Sequence, residues 1–136
     1  MYKLIEHTAV MGIEARAESL PGVLRDMAKG LKALMFGDSR AFAKLDTEIT
    51  VQAEDLTELL VCWLNEVAYW SEKDNLVPAE FRIHLLSKAG IRATISGEPF
   101  DPLRHTAERQ VKSVTYHQAC LEEVPGGWYA RVYVDL

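Results

Sequence analysis

The stretch from Leu56 to Trp70 constrains this chain more than any other segment. Leu56, Leu59, Leu60, Trp63, Leu64, Val67 and Trp70 recur at three- and four-residue spacing. That spacing lines one face of an α-helix and cannot line one face of a strand. Asp55 precedes the stripe and Glu58 follows three residues later, the arrangement of a capping box. Burying such a face contributes roughly 1.5–3 kcal/mol per large apolar side chain before ordering entropy is charged, so the Trp/Leu stripe reads as core packing. A second stripe runs through Leu20, Val23, Leu24, Met27, Ala28, Leu31, Leu34 and Met35. Ser19 is placed to cap it, Pro21 falls in its first turn where a missing N–H costs little, and Gly37 is a stop.

The remainder alternates with period two, the mark of half-buried strands. Met11, Ile13 and Ala15 alternate with polar neighbours, as do Thr47, Ile49, Val51 and Ala53. Phe81, Ile83 and Leu85 form a third such set, and Ile91, Ala93 and Ile95 a fourth. Lys88-Ala89-Gly90 and Pro125-Gly126-Gly127 read as short hairpin turns, which make their flanking strands antiparallel. The predicted order is two strands, helix, strand, helix, then four strands in two hairpins. The fold class is therefore α+β, with two amphipathic helices packed on a largely antiparallel sheet. At 136 residues this is a single domain over 1–136, large enough to fold without a metal or disulfide.

Charge and cysteine usage narrow the function. Lys plus Arg total 15 and Asp plus Glu total 20, a net charge of −5, which argues against direct nucleic-acid binding through bulk electrostatics. No apolar run approaches the roughly 20 residues that span a bilayer, and the N-terminus lacks a signal-peptide core. Cys62 and Cys120 have no metal or redox spacing and read as buried free thiols, which suits a cytoplasmic location.

Few residues carry recognisable chemistry. His84 alternates with apolar neighbours and reads as structural. Asp101 and His105 stand four apart, but Pro99 and Pro102 exclude the helix that would give them metal-ligand geometry. No nucleophile elbow or phosphate loop occurs, so a small hydrolase built on Asp101, His105 or His117 has no motif behind it. The C-terminal end is more informative. Trp128, Ala130, Val132 and Val134 share one strand face, which leaves Arg131, Tyr133 and Asp135 on the other. Asp135 and the α-carboxylate of Leu136 together offer hard oxygen donors suited to magnesium or calcium rather than zinc. With the turn centred on Gly126-Gly127, Asp135 faces Gln118 and Leu136 faces His117. Lys112 then lies roughly 17 Å further along, at about 3.3 Å per residue. An unbroken hairpin thus favours His117 over Lys112 as the terminus's neighbour, unless a bulge intervenes.

Five fragments, in order and spanning nearly the whole chain, resemble the archease family. They are Glu6-His7-Thr8-Ala9 with Gly12; the Glu54–Glu66 segment with Glu58-Leu59-Leu60 and Trp63-Leu64-Asn65-Glu66; Gly97-Glu98 with Asp101 and His105; Val111–His117; and Gly127–Val132 with Asp135. The resemblance implies a small α+β accessory protein, not an enzyme. Its partner would be the tRNA-splicing RNA ligase, whose guanylylation with GTP and divalent metal it promotes and whose multiple turnover it supports. The ligase, not the accessory protein, uses the GTP. The family's C-terminal acidic position carries over to Asp135, with Leu136 beside it, and the lysine of the fourth block carries over to Lys112. His7 and His117 are expected to organise loops by hydrogen bonding. One departure matters: the family's His-Thr-Ala-Asp reads His7-Thr8-Ala9-Val10 here. Valine has no donor oxygen, so Val10 offers a cation only its backbone carbonyl. A hard cation wants about six or more oxygens, so weak calcium or magnesium binding is expected. The alternative is a general protein-binding or chaperone-like module that has lost the metal-dependent role.

Overall fold

The computed structural model describes residues 1–7 and 10–136, with residues 6, 7 and 10 described by backbone alone. The element order is β1 (Tyr2–His7), β2 (Val10–Ala17), α1 (Leu20–Phe36), β3 (Leu45–Gln52), α2 (Leu56–Asp74), β4 (Leu76–Ser87), β5 (Gly90–Pro99), β6 (Ser113–Val124) and β7 (Gly127–Asp135). The strands form two antiparallel sheets, one ordered β1-β2-β7-β6 and the other β3-β5-β4. The class and element order follow the sequence reading, while the single expected sheet is divided in two. Helix α1 packs on β1, β2 and β7 and reaches β4 of the second sheet; α2 packs on β6 and on all three strands of the second sheet. The helices thus join the two sheets around one core.

Local chemistry explains both helices. The Ser19 side chain accepts the Gly22 N–H, Pro21 lies in the first turn, and the Gly37 N–H closes on the Ala33 carbonyl. Asp55 accepts the Glu58 N–H at 2.8 Å, and the Glu58 carboxylate accepts the N–H of Glu54 at 3.1 Å, one residue outside the box predicted for it. Trp63 lies at the centre of the core. It is fully buried, its Nε1 donates to the Leu24 carbonyl at 3.0 Å, and its ring meets Phe81 edge-on at 6.3 Å. The indole therefore ties α2 to α1 and to β4 without leaving its N–H unpaired.

Strand β4 departs from simple alternation. Its register against β5 shifts between Pro78 and Glu80 and again between Ile83 and Leu85. The second shift sets Leu85 opposite Arg92 and Leu86 opposite Ile91. Leu86 packs on the core and Leu85 is 61% exposed, which corrects the predicted inward set Phe81, Ile83, Leu85. A bulge reverses the facing of every later side chain. As an edge strand, β4 also tolerates Pro78.

Candidate functional site

The far end of the four-stranded sheet collects most of the residues singled out above. Backbone register places His7, Val10, Asp135 and Ser113 in one row across β1, β2, β7 and β6. Asp135 is thus held between two strands, and the Lys112 N–H donates to its carbonyl at 2.9 Å. Neighbours in such a row stand about 5 Å apart.

This placement corrects the expected hairpin pairing. Near the turn, Val124 pairs with Gly127 and Cys120 with Arg131; beyond it, Thr115 pairs with Tyr133 and Ser113 with Asp135. Between these blocks β6 gains three residues on β7. Tyr116, His117, Gln118 and Ala119 lie in the excursion, with Gln118 at φ 51°. Asp135 therefore faces Ser113 rather than Gln118, and Lys112 rather than His117 is its neighbour. The cause is facing. Leu121 and Val114 are both buried, yet seven residues apart they fall on opposite faces of an unbroken strand. An unbroken strand would also turn His117 inward beside Val134. An odd insertion restores Val114 to the core and leaves the imidazole outside. Arg131 Nε fixes the excursion by donating to the Gln118 carbonyl at 3.1 Å.

Each predicted site residue has a definite position. Asp135 and Lys112 are exposed, and Leu136 is 39% exposed. Among the described residues neither the Lys112 ammonium nor the Asp135 carboxylate makes an ion pair. His117 is exposed on the excursion, with its ring centroid 6.1 Å from that of Tyr133, not at the terminus. His7 and Val10 occupy their register positions, and their side chains lie outside the described residues, as do Thr8 and Ala9. The Val10 backbone stands in the ladder between His7 and Asp135, where its polar groups lie in the plane of the sheet. Among the described residues no three His, Cys, Asp or Glu side chains converge on a metal position.

A second acidic cluster lies at the end of β5, and sequence reading passed over its centre. Glu98 is 1% exposed. Its carboxylate accepts the Phe42 N–H at 2.5 Å, is bonded by the Arg104 guanidinium, and has Lys44 Nζ at 3.6 Å. The Arg104 bond leads the causes that hold Glu98 far below the usual carboxylate range, at about 2, against the opposing effect of desolvation. Asp101 accepts the Leu103 N–H and the Arg104 Nε, and the first of these leads the downward shift of its carboxyl. His105 is buried. Its Nδ1 accepts the Asp101 N–H at 2.9 Å, which assigns the proton to Nε2, 3.5 Å from Glu98. Asp101 and His105 are thus committed to folding the 100–105 turn back onto Glu98, and the hydrolase reading loses two of its three residues. The signal was there to find: Pro99 and Pro102 bend the chain so that Arg104 returns to Glu98.

Among the described residues, no helix is long and apolar enough to cross a membrane. A family model described as the Archease protein family matches residues 2–136. Protein archease of Methanopyrus kandleri is 35% identical over 97% of this chain and 96% of its own length. That of Methanosarcina mazei is 32% identical over 99% and 95%. The solution structure of Methanobacterium thermoautotrophicum protein 1598 shares the fold with a TM-score of 0.82 at 24% identity, covering 99% of this chain and 98% of its own. The crystal structure of an archease, possible chaperone, from Thermotoga maritima shares it with a TM-score of 0.64 at 18% identity, covering 100% and 98%.

Proposed function

The chain belongs to the archease family, and from that premise we propose that it is an accessory protein of a tRNA-splicing RNA ligase in the cytoplasm. It raises the rate at which the ligase is guanylylated with GTP and metal and lets the ligase turn over repeatedly. The observation that supports this reading is the placement of Asp135, an exposed carboxylate on a backbone held between β2 and β6 with Lys112 bonded beside it. A carboxylate on an ordered strand end loses little further entropy when a partner engages it, so it can serve as a rigid docking point. The Lys112 ammonium adds a point charge for phosphate or a ligase carboxylate. A calcium or magnesium ion held by Asp135 and Leu136 would supply charge neutralisation during guanylylation, with water or ligase oxygens completing its shell. Val10 withholds one donor, so the isolated chain binds such an ion weakly.

The test is guanylylation of the cognate ligase with GTP and magnesium, with and without this chain. A several-fold faster rate and repeated turnover are expected; no change would refute the reading. Calorimetric titration with calcium is expected to show at least tenfold tighter binding by Val10→Asp than by the unsubstituted chain. The second reading, a general protein-binding module, draws on the words attached to the Thermotoga structure and on exposed Phe42 and Leu103. It requires suppression of aggregation of an unrelated protein, undiminished by Asp135→Ala.

A further inference from the structure

Asn65 has no place in the site as read so far, yet it makes the side-chain bonds that join α2 to the backbone of β6. Its Nδ2 donates to the Val114 carbonyl at 3.0 Å, and its Oδ1 accepts the Val114 N–H at 2.9 Å. Val114 lies on the outer strand of its sheet, so these two groups have no further strand to pair with. Val114 is also two residues from Lys112, on the near side of the three-residue excursion.

We propose that Asn65 is a positioning residue, whose amide holds β6 in the displaced register that sets Lys112 beside Asp135. The proposal deepens the accessory-protein reading and rests on it for its functional consequence. Burial of Val114 alone does not fix the register. It demands an odd displacement, and one extra residue would satisfy it as well as three. A one-residue displacement would leave Asp135 opposite Thr115 and carry Lys112 about 7 Å further along the strand, at about 3.3 Å per residue. Within the sheet, Thr115 Oγ1 donates to the Tyr133 carbonyl at 2.9 Å, which favours the observed pairing. Asn65 adds a tie to an element outside the sheet, and α2 does not slide when β6 slips because its stripe is locked in the core. An amide suits the task because it donates and accepts at once. Aspartate at 65 would only accept, and alanine would do neither.

Amide hydrogen exchange by NMR, read in the free protein, is the primary test. In Asn65→Ala the Lys112 amide is expected to exchange at least tenfold faster, with Leu121 and Ala130 unchanged within twofold. Asn65→Asp, which keeps the acceptor, is expected to give a smaller acceleration at the same amide, and it carries the test if the alanine variant fails to fold. In the ligase assay Asn65→Ala is expected to lose as much stimulation as Lys112→Ala, and the double variant no more than either. A merely structural role would not produce that non-additivity. Unchanged Lys112 exchange in the folded variants, or losses that multiply, would overturn the proposal. If the unsubstituted chain stimulates no ligase, the functional reading fails, and exchange at Lys112 decides the role of Asn65 by itself.

Discussion

Glu98 and Asp135 are both acidic residues near the C-terminal ends of strands, and the molecule treats them in opposite ways. Glu98 is buried and held by Arg104, Lys44 and the Phe42 N–H; Asp135 is exposed and, among the described residues, without an ionic partner. Removing a carboxylate from water is costly and is tolerated where cationic partners and hydrogen bonds offset the loss. The Glu98 cluster meets that demand by drawing in two loops, so its chemistry is spent on architecture. At Asp135 the backbone is paired, and among the described residues the side chain has no ionic partner. Crowding of charged residues thus accompanies a structural role at Glu98, while the proposed role of Asp135 rests on an exposed carboxylate carried by a fixed backbone.

Substitution at the two ends should separate these roles. The largest effect is expected from Asp135→Ala, which should cut stimulation of ligase guanylylation at least tenfold while moving the melting midpoint by less than about 2 °C, as is usual for an exposed side chain. An unaffected rate would erase the distinction. Glu98→Gln is expected to do the reverse, lowering the midpoint by on the order of 10 °C by leaving Arg104 poorly partnered. Stimulation assayed well below that midpoint should survive. Acid titration sharpens the contrast. Because the folded Glu98 carboxyl sits at about 2 against an ordinary 4.5, its contribution to stability is complete above about pH 4.5 and is lost as pH falls toward 2. Urea unfolding across that range should show a shallower acid slope in Glu98→Gln than in the unsubstituted chain. The smallest effect is at Leu85, which a bulge turns outward; Leu85→Lys should change stability by less than about 0.5 kcal/mol.

Much of this fold was legible because it is decided locally. Ser19, Asp55 and Gly37 bound helices whose stripes obey one period, and both hairpin turns carry their own chemistry. The division into two sheets was not legible, since alternation says that a segment is a strand and not which strand it joins. The two bulged strands failed for a related reason. Leu85 and His117 sit where an alternating pattern must skip, and the skip shows only when distant members such as Val114 and Leu121 are compared for facing. The Lys112–Asp135 neighbourhood depended on that skip, so hairpin counting missed it and family resemblance kept Lys112 in view. Glu98 entered the sequence reading only as part of the Gly97-Glu98 fragment, and its burial was not legible because Phe42, which bonds it, lies fifty-six residues away.

The seventh strand is synthesised after every other element, yet it lies inside its sheet, flanked by one of the earliest strands and by its hairpin neighbour. Tyr129 reaches back 115 residues to Glu14. Without that strand, β2 would present an open edge. Closure of this sheet therefore needs a strand pairing between segments more than a hundred residues apart, and pairing of such long range is slow to form.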